Sequence, residues 1–215
     1  MRLFLASEIL GNYADELMRL TKGGRKMLVV SNARDHRDPE ARQAKVRDNL
    51  ALFKAAGFEP TELDLRNYFG KPSELAEFVE NFAPDVVFSM GGNVFLLRTA
   101  MKLSGLDNII IDGVKNDKFV YAGYSAGSMV AVKTLKYYGH DDLVADKVPE
   151  IYGVESEMSG LGLINEYIVA HADVEKHADT TKMYLGKLAD AGEEAIVLNQ
   201  SSVYVVDGGE KKLYE

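Results

Sequence analysis

The sequence predicts an α/β protein, three-layered and doubly wound, in which a mostly parallel sheet is covered by helices on both faces. Three observations lead there. Apolar β-type runs alternate with helical stretches along most of the chain, the order that builds parallel βαβ units. Met27-Leu-Val-Val-Ser31 is almost continuously apolar, as a strand covered on both sides must be. Two of the runs end in small-residue turns, Gly91-Gly92-Asn93 and Gly123-Tyr124-Ser125-Ala126-Gly127, at the carboxyl strand ends where such sheets place their sites.

Arg2 to Ser7 reads as the first strand, and Asn12 to Leu20 as a helix with Leu17 and Leu20 on one face. After the strand at Met27–Ser31, Pro39 opens a helix that runs to about Ala56 and stops at Gly57. Thr61 to Leu65 is the next strand. Leu75, Phe78, Val79 and Phe82 then mark an amphipathic helix closed by Pro84. Asp85 to Met90 is a strand leading into Gly91-Gly92-Asn93. Val94 to Leu103 follows as a helix, and another runs through Ile109 to Val114. Phe119 to Ala122 forms a strand, and Ala126 to Thr134 a helix without internal Gly or Pro after Gly127. Lys136 to Gly162 has no clear period and reads as a long loop. Leu163 to Ala170 is a strand ending at His171, and Ala178 to Ala191 a helix. Short strands at 195–198, 202–206 and 211–214 close the chain, expected to be antiparallel with Asp207-Gly208 as a hairpin turn.

The 215 residues are 47% hydrophobic and suit one α/β domain over residues 1–215. A net charge of −8 leaves no basic stripe to neutralise phosphates, which argues against nucleic acid as a partner. There is no cysteine, so neither a disulfide nor a thiol nucleophile is available. The apolar start is too short for a signal or membrane helix, so no membrane partner and a cytoplasmic location are expected. A homodimer is compatible with the sequence, although no edge or helix face marks where it would form.

Gly123-Tyr-Ser-Ala-Gly127 spells G-x-S-x-G between a strand and a helix. On such a turn a serine hydroxyl projects from the sheet, and the next N–H points at a bound carbonyl oxygen. Ser125 is therefore the candidate nucleophile and Ala126 a candidate oxyanion donor. Gly91 and Gly92 offer further N–H groups at a strand end, with Asn93 placed to cap the following helix. Of the four histidines, His36, His140 and His177 lie in polar settings that suit solvated side chains. His171 ends a strand and is expected on the same sheet edge as Ser125, which makes it the candidate base. Asp141, Asp142, Asp146 and Glu150 are open as the orienting acid. The spacing of His171, Asp173 and His177 is not that of a usual ligand set, and no metal is expected.

Met90-Gly-Gly-Asn-Val-Phe95, Ala122-Gly-Tyr-Ser-Ala-Gly127, and Gly160-Leu-Gly-Leu163 followed by Ala170-His171-Ala-Asp173 together resemble the motif series of the dipeptidase E (α-aspartyl dipeptidase) and cyanophycinase family of serine peptidases. The match in order and spacing runs from Arg2 to about Val206. The resemblance implies a flavodoxin-like fold of the class I glutamine amidotransferase kind, with serine in place of cysteine. It implies that Ser125 attacks the carbonyl of a small peptide substrate, that His171 serves as base and then acid, and that the Gly92 and Ala126 N–H groups bind the oxyanion, without cofactor. It places the acid on Asp141, with Asp142 as the alternative. A rival acidic position near Leu198 to Ser201 is occupied here by Gln200, which would orient His171 with a neutral amide. Aspartyl dipeptidases also carry an arginine after the histidine. Here only Lys176, Lys182 and Lys187 follow, so an N-terminal aspartate preference is not expected. A ligand-binding protein without catalysis and an α/β-hydrolase esterase are the competing readings; the esterase fits less well because a helix and strands follow His171.

Overall fold

A computed structural model of the chain describes residues 1–139 and 147–215. The elements are, in order, β1 (Arg2–Ala6), α1 (Ala14–Leu20), β2 (Lys26–Val30), α2 (Pro39–Ala55), β3 (Glu59–Leu63), α3 (Pro72–Phe82), β4 (Val86–Ser89), α4 (Val94–Ser104), α5 (Leu106–Lys115), β5 (Val120–Tyr124), α6 (Ala126–Met129), α7 (Lys147–Tyr152), β6 (Tyr167–Val169), α8 (Ala178–Asp190), β7 (Ala195–Val197), β8 (Val203–Asp207) and β9 (Glu210–Tyr214). Seven strands form one sheet in the order β3-β2-β4-β5-β1-β8-β9, and β6 pairs with β7 in a small second sheet. From β3 to β1 the pairs are parallel; β8 and β9 run antiparallel to their neighbours.

Strand alternation divides the interior into two layers. Leu3, Leu5, Leu28, Val30, Val87 and Tyr121 face one side, against α3, α4 and α5 through Leu75, Leu97 and Ile110. Phe4, Ala6, Met27, Val29, Phe88 and Ala122 face the other, against α1 and α2 through Leu17, Leu20, Val46 and Phe53. The three-layer, mostly parallel architecture is thus the one expected. At the sheet's far edge β9 presents Glu210, Lys211 and Lys212 to solvent, charges that discourage further strand pairing. No described helix is long and apolar enough to cross a membrane.

Several elements depart from the sequence expectation. The third strand is Glu59–Leu63 rather than 61–65, because Asp64 accepts from the Arg66 N–H and turns Leu65–Tyr68 into a 3-10 helix. The helix expected to reach Thr134 stops at Met129. Beyond it the carbonyls of Val130, Ala131, Val132 and Lys133 accept from N–H groups of residues 160–164, so long-range bonds replace the helical ones. The expected strand Leu163–Ala170 is only Tyr167–Val169, and it joins β7 in parallel instead of extending the main sheet. The terminal hairpin β8–β9 is antiparallel as expected; β7 is not part of it. The long loop contains α7 after the undescribed residues.

Candidate active site

The parallel strands deliver their carboxyl ends to one side of the sheet, and each end carries a polar residue there. Ser7 and Glu8 follow β1, Arg34 to Arg37 follow β2, Gly91 to Asn93 follow β4, and Ser125 follows β5. Ser125 adopts φ 50° and ψ −115°, a backbone strained for a residue with a Cβ, at the junction of β5 and α6. Its N–H donates to the Ala6 carbonyl at 3.0 Å, and its carbonyl accepts from Ser128 and Met129, so the turn is held from both sides. Gly127 must lack a side chain, because a Cβ there would lie 2.1 Å from the Ser89 carbonyl oxygen of the neighbouring strand. The strain is therefore over-determined by tight packing.

Beside Ser125 lies the β4–α4 turn. Asn93 caps α4, its side-chain oxygen accepting from the N–H groups of Phe95 (2.9 Å) and Leu96 (3.0 Å), as the sequence suggested. Its own N–H donates to Ala33 at 2.8 Å, which ties the turn to the segment after β2. Gly92 approaches the same segment so closely that a Cβ would sit 2.3 Å from the Ala33 oxygen. Among the described residues, no backbone carbonyl takes up the Gly92 N–H or the N–H of Ala126 at the start of α6.

His171 follows β6 and also has a left-handed backbone, φ 62°. Its N–H donates to Ser7 Oγ at 2.9 Å, which anchors it to the end of β1. Its ring is held on two sides. Nδ1 lies 2.9 Å from Gln200 Oε1, and the His177 ring stacks on it with centroids 5.2 Å apart. Gln200 is fixed in turn: its N–H donates to Asp173 at 2.7 Å, and its side-chain amide donates to the Glu8 carboxylate.

Ser125 and His171 line two adjoining spaces. The larger, about 550 Å³, is walled by Glu8, Arg34, His36, Arg37, Lys147, Lys176 and Gln200 as well as by the two glycines. The smaller, about 200 Å³, is lined by Val94, Met129, Tyr138, Tyr184, Thr180 and Thr181. Burial, together with Arg37 and Arg34, holds the His36 imidazole below its ordinary value, and its Nδ1 is buried without a hydrogen-bond partner among the described residues. Burial, His171 and Lys176 lower His177 likewise. Behind the wall, Arg42 on α2 pairs with Asp35 at 2.8 Å, Glu62 at 3.1 Å and Asp64 at 3.2 Å, and the Tyr152 hydroxyl of α7 donates to Asp35.

Ser125, His171, Gly91, Gly92, Asn93 and Gln200 thus converge, all lining the one cleft. Ala126 directly follows Ser125 at the start of α6. Asp141 and Asp142, with His140 and Asp146, lie outside the described residues; Glu150 instead pairs with Lys147 on α7. His36 and His177 are partly buried in the cleft wall rather than solvated as expected. Among the described residues, no three His, Asp or Glu side chains gather where they could hold a metal ion. Glu8, Arg34 and Arg37 were not singled out from the sequence. The available signal was their place directly after apolar strands, at the same edge as Ser125.

A parallel sheet with a strained serine beyond a central strand, sharing one cleft with a histidine and a glycine turn, defines a serine-type hydrolase. The chain belongs to peptidase family S51, whose sequence profile matches residues 6–213, the same family as the motif resemblance indicated. It is a serine-type peptidase. Two solved structures share the fold. One is a protein from Listeria monocytogenes EGD-e with a provisional peptidase E designation, 16% identical at a TM-score of 0.77, the match covering 99% of this chain and 97% of that one. The other is a peptidase from an acI-B1 actinobacterium, 18% identical at 0.70, covering 99% of this chain and 86% of that one. No curated protein matches the chain by sequence.

Proposed function

We propose that the protein is an exo- or dipeptidase that hydrolyses small peptides through an acyl-enzyme on Ser125. The observation that carries this is the convergence of Ser125 and His171, from different sheets, on one cleft. Ser125 Oγ attacks the peptide carbonyl while His171 takes its proton. The oxyanion is received by the N–H groups of Gly92 and Ala126, and His171 then returns the proton to the leaving amine. Water repeats the sequence on the ester, releasing the acid and restoring the serine. Asp141 or Asp142 is the acid the family pattern offers; among the described residues the group on His171 Nδ1 is Gln200.

The cleft also favours a class of substrate. Among the described residues of its wall, Arg34, Arg37, Lys147 and Lys176 outnumber the one carboxylate, that of Glu8, so this part of the wall is cationic on a chain of net charge −8. Such a wall attracts the free carboxylate of a short peptide. The smaller space, with Tyr138, Tyr184 and Met129, suits an apolar or small side chain.

The test is a turnover screen of the purified protein against dipeptides and blocked amides, with Ser125→Ala beside it. Hydrolysis by the wild type, lost by about 10⁴-fold or more in the variant, is expected. Equal rates in the two proteins, or none in either with the fold intact, would overturn the reading.

A further inference from the structure

Glu8 and Gln200 form a chain of contacts that ends on the candidate base. The Gln200 amide lies between two groups, with Oε1 toward His171 Nδ1 and Nε2 toward the Glu8 carboxylate. A carboxylate only accepts hydrogen bonds, so the amide end that meets Glu8 must be the NH₂. That fixes the flip of the side chain and presents the carbonyl oxygen, an acceptor, to His171. Nδ1 must then carry the proton, and Nε2 is left with its lone pair free.

We propose that Glu8 is a positioning residue which, acting through the Gln200 amide, selects the Nδ1–H tautomer of His171 and so does by relay what a carboxylate on Nδ1 does directly. The inference rests on His171 acting as the base, as proposed above. The tautomer matters because only Nε2 without a proton accepts one from the Ser125 hydroxyl. Where an acid touches the histidine directly, replacing it by an amide fixes the wrong tautomer and costs about 10⁴-fold in turnover.

The placement of Glu8 is built into the sheet. β1 pairs antiparallel with β8, Ala6 opposite Val203, and the Ser7 N–H donates to the Ser202 carbonyl at 3.1 Å. The residue after Ser7 is thereby brought level with the turn that carries Gln200. The Asp173 carboxylate holds the Gln200 backbone from the other side. Glu8 thus faces the amide in a turn fixed at both ends.

The test combines charge exchange with a direct reading of the imidazole. In Glu8→Gln the amide at 200 is free to flip, so kcat is expected to fall by about tenfold to hundredfold with KM nearly constant. In Gln200→Glu two carboxylates face each other. The double variant Glu8→Gln with Gln200→Glu, which sets one carboxylate directly on Nδ1, is expected to recover at least wild-type kcat. Glu8→Gln therefore lowers turnover in one background and raises it in the other, a reversal that loss of a merely structural contact does not produce. In parallel, the ¹⁵N shifts of the neutral His171 imidazole should report Nδ1–H in the wild type and a shift toward Nε2–H in Glu8→Gln.

Unchanged kcat in Glu8→Gln, an equal loss in both backgrounds, a rise in KM alone, or an Nδ1–H imidazole in the variant would each overturn the proposal. The nitrogen shifts need no substrate. They decide the part played by Glu8 even if the turnover screen rejects the peptidase reading.

Discussion

The Tyr152 hydroxyl donates to Asp35 Oδ2 at 2.6 Å, joining α7 to the segment after β2 across 117 positions of sequence. The Asp35 side chain is fully buried; it also accepts from Arg42 Nε at 2.8 Å and Asn32 Nδ2 at 2.7 Å. Because α7 brings Lys147 to the cleft, this bond connects the wall's stability to its shape. Arg42→Ala strands the buried carboxylate and is expected to cost about 3–5 kcal/mol, against about 1–3 kcal/mol for Tyr152→Phe. Urea unfolding measures both; equal midpoints for Arg42→Ala and the wild type would remove the network from the account of stability.

Gly127→Ala forces a methyl group against the Ser89 carbonyl. The strand and the turn must separate, at about 2–4 kcal/mol. Denaturation midpoint and turnover should fall together, since the same displacement moves Ser125. A variant as stable and active as the wild type would show that the turn can relax without moving the serine.

Acid should destabilise the protein in two stages. His36 and His177 are held below the ordinary 6.5 by burial and neighbouring cations, so as pH falls through 6.5 the unfolded chain binds protons that the folded one refuses. Stability therefore declines from about pH 6.5 down to the folded pKa values and then levels. Hydrogen bonding and arginine charge hold the Asp64 and Asp117 carboxyls below their usual range, despite the opposing effect of burial, and their contribution is lost only at lower pH. Thermal melts between pH 5 and 7.5 should slope for the wild type and flatten in His36→Gln with His177→Gln; an unchanged slope would assign it to other groups.

Arg37 and Lys176 test the substrate's charge. Arg37→Met with Lys176→Met is expected to raise KM about threefold to tenfold for peptides with a free carboxylate, the scale of partly screened surface charges. Amidated analogues should be little affected. The same change in KM for both series would show that the wall holds some other part of the substrate.

Much of the site could be read from the chain because its local chemistry is local in sequence. Gly123 to Gly127 and Gly91 to Asn93 each carry their own turn, and both stand where expected. His171 was also singled out, although the strand before it is short and lies outside the main sheet; a left-handed backbone and the Ser7 hydroxyl position it instead. Glu8 was not, since its meaning depends on β1 pairing with β8, a contact between chain ends that no local pattern encodes. The early end of α6 has the same cause: its further carbonyls are claimed by residues some thirty positions on. The buried Arg42 cluster was hidden because a charged helix such as α2 reads as solvated all along its length.

On the proposed relay, the pairing of β1 with β8 also sets when the enzyme becomes competent. Glu8 and Gln200 are 192 positions apart, so during synthesis Glu8 and the serine segment are made well before the Gln200 turn. At about 5–20 residues per second, the ribosome needs about 4–15 s to travel from Ser125 to Gln200. In that interval the serine segment has been made, but the amide proposed to aim the histidine has not. Docking of β8 on β1 brings the Gln200 turn beside Glu8, so on the proposed relay an unfinished chain emerging among other growing polypeptides is unarmed.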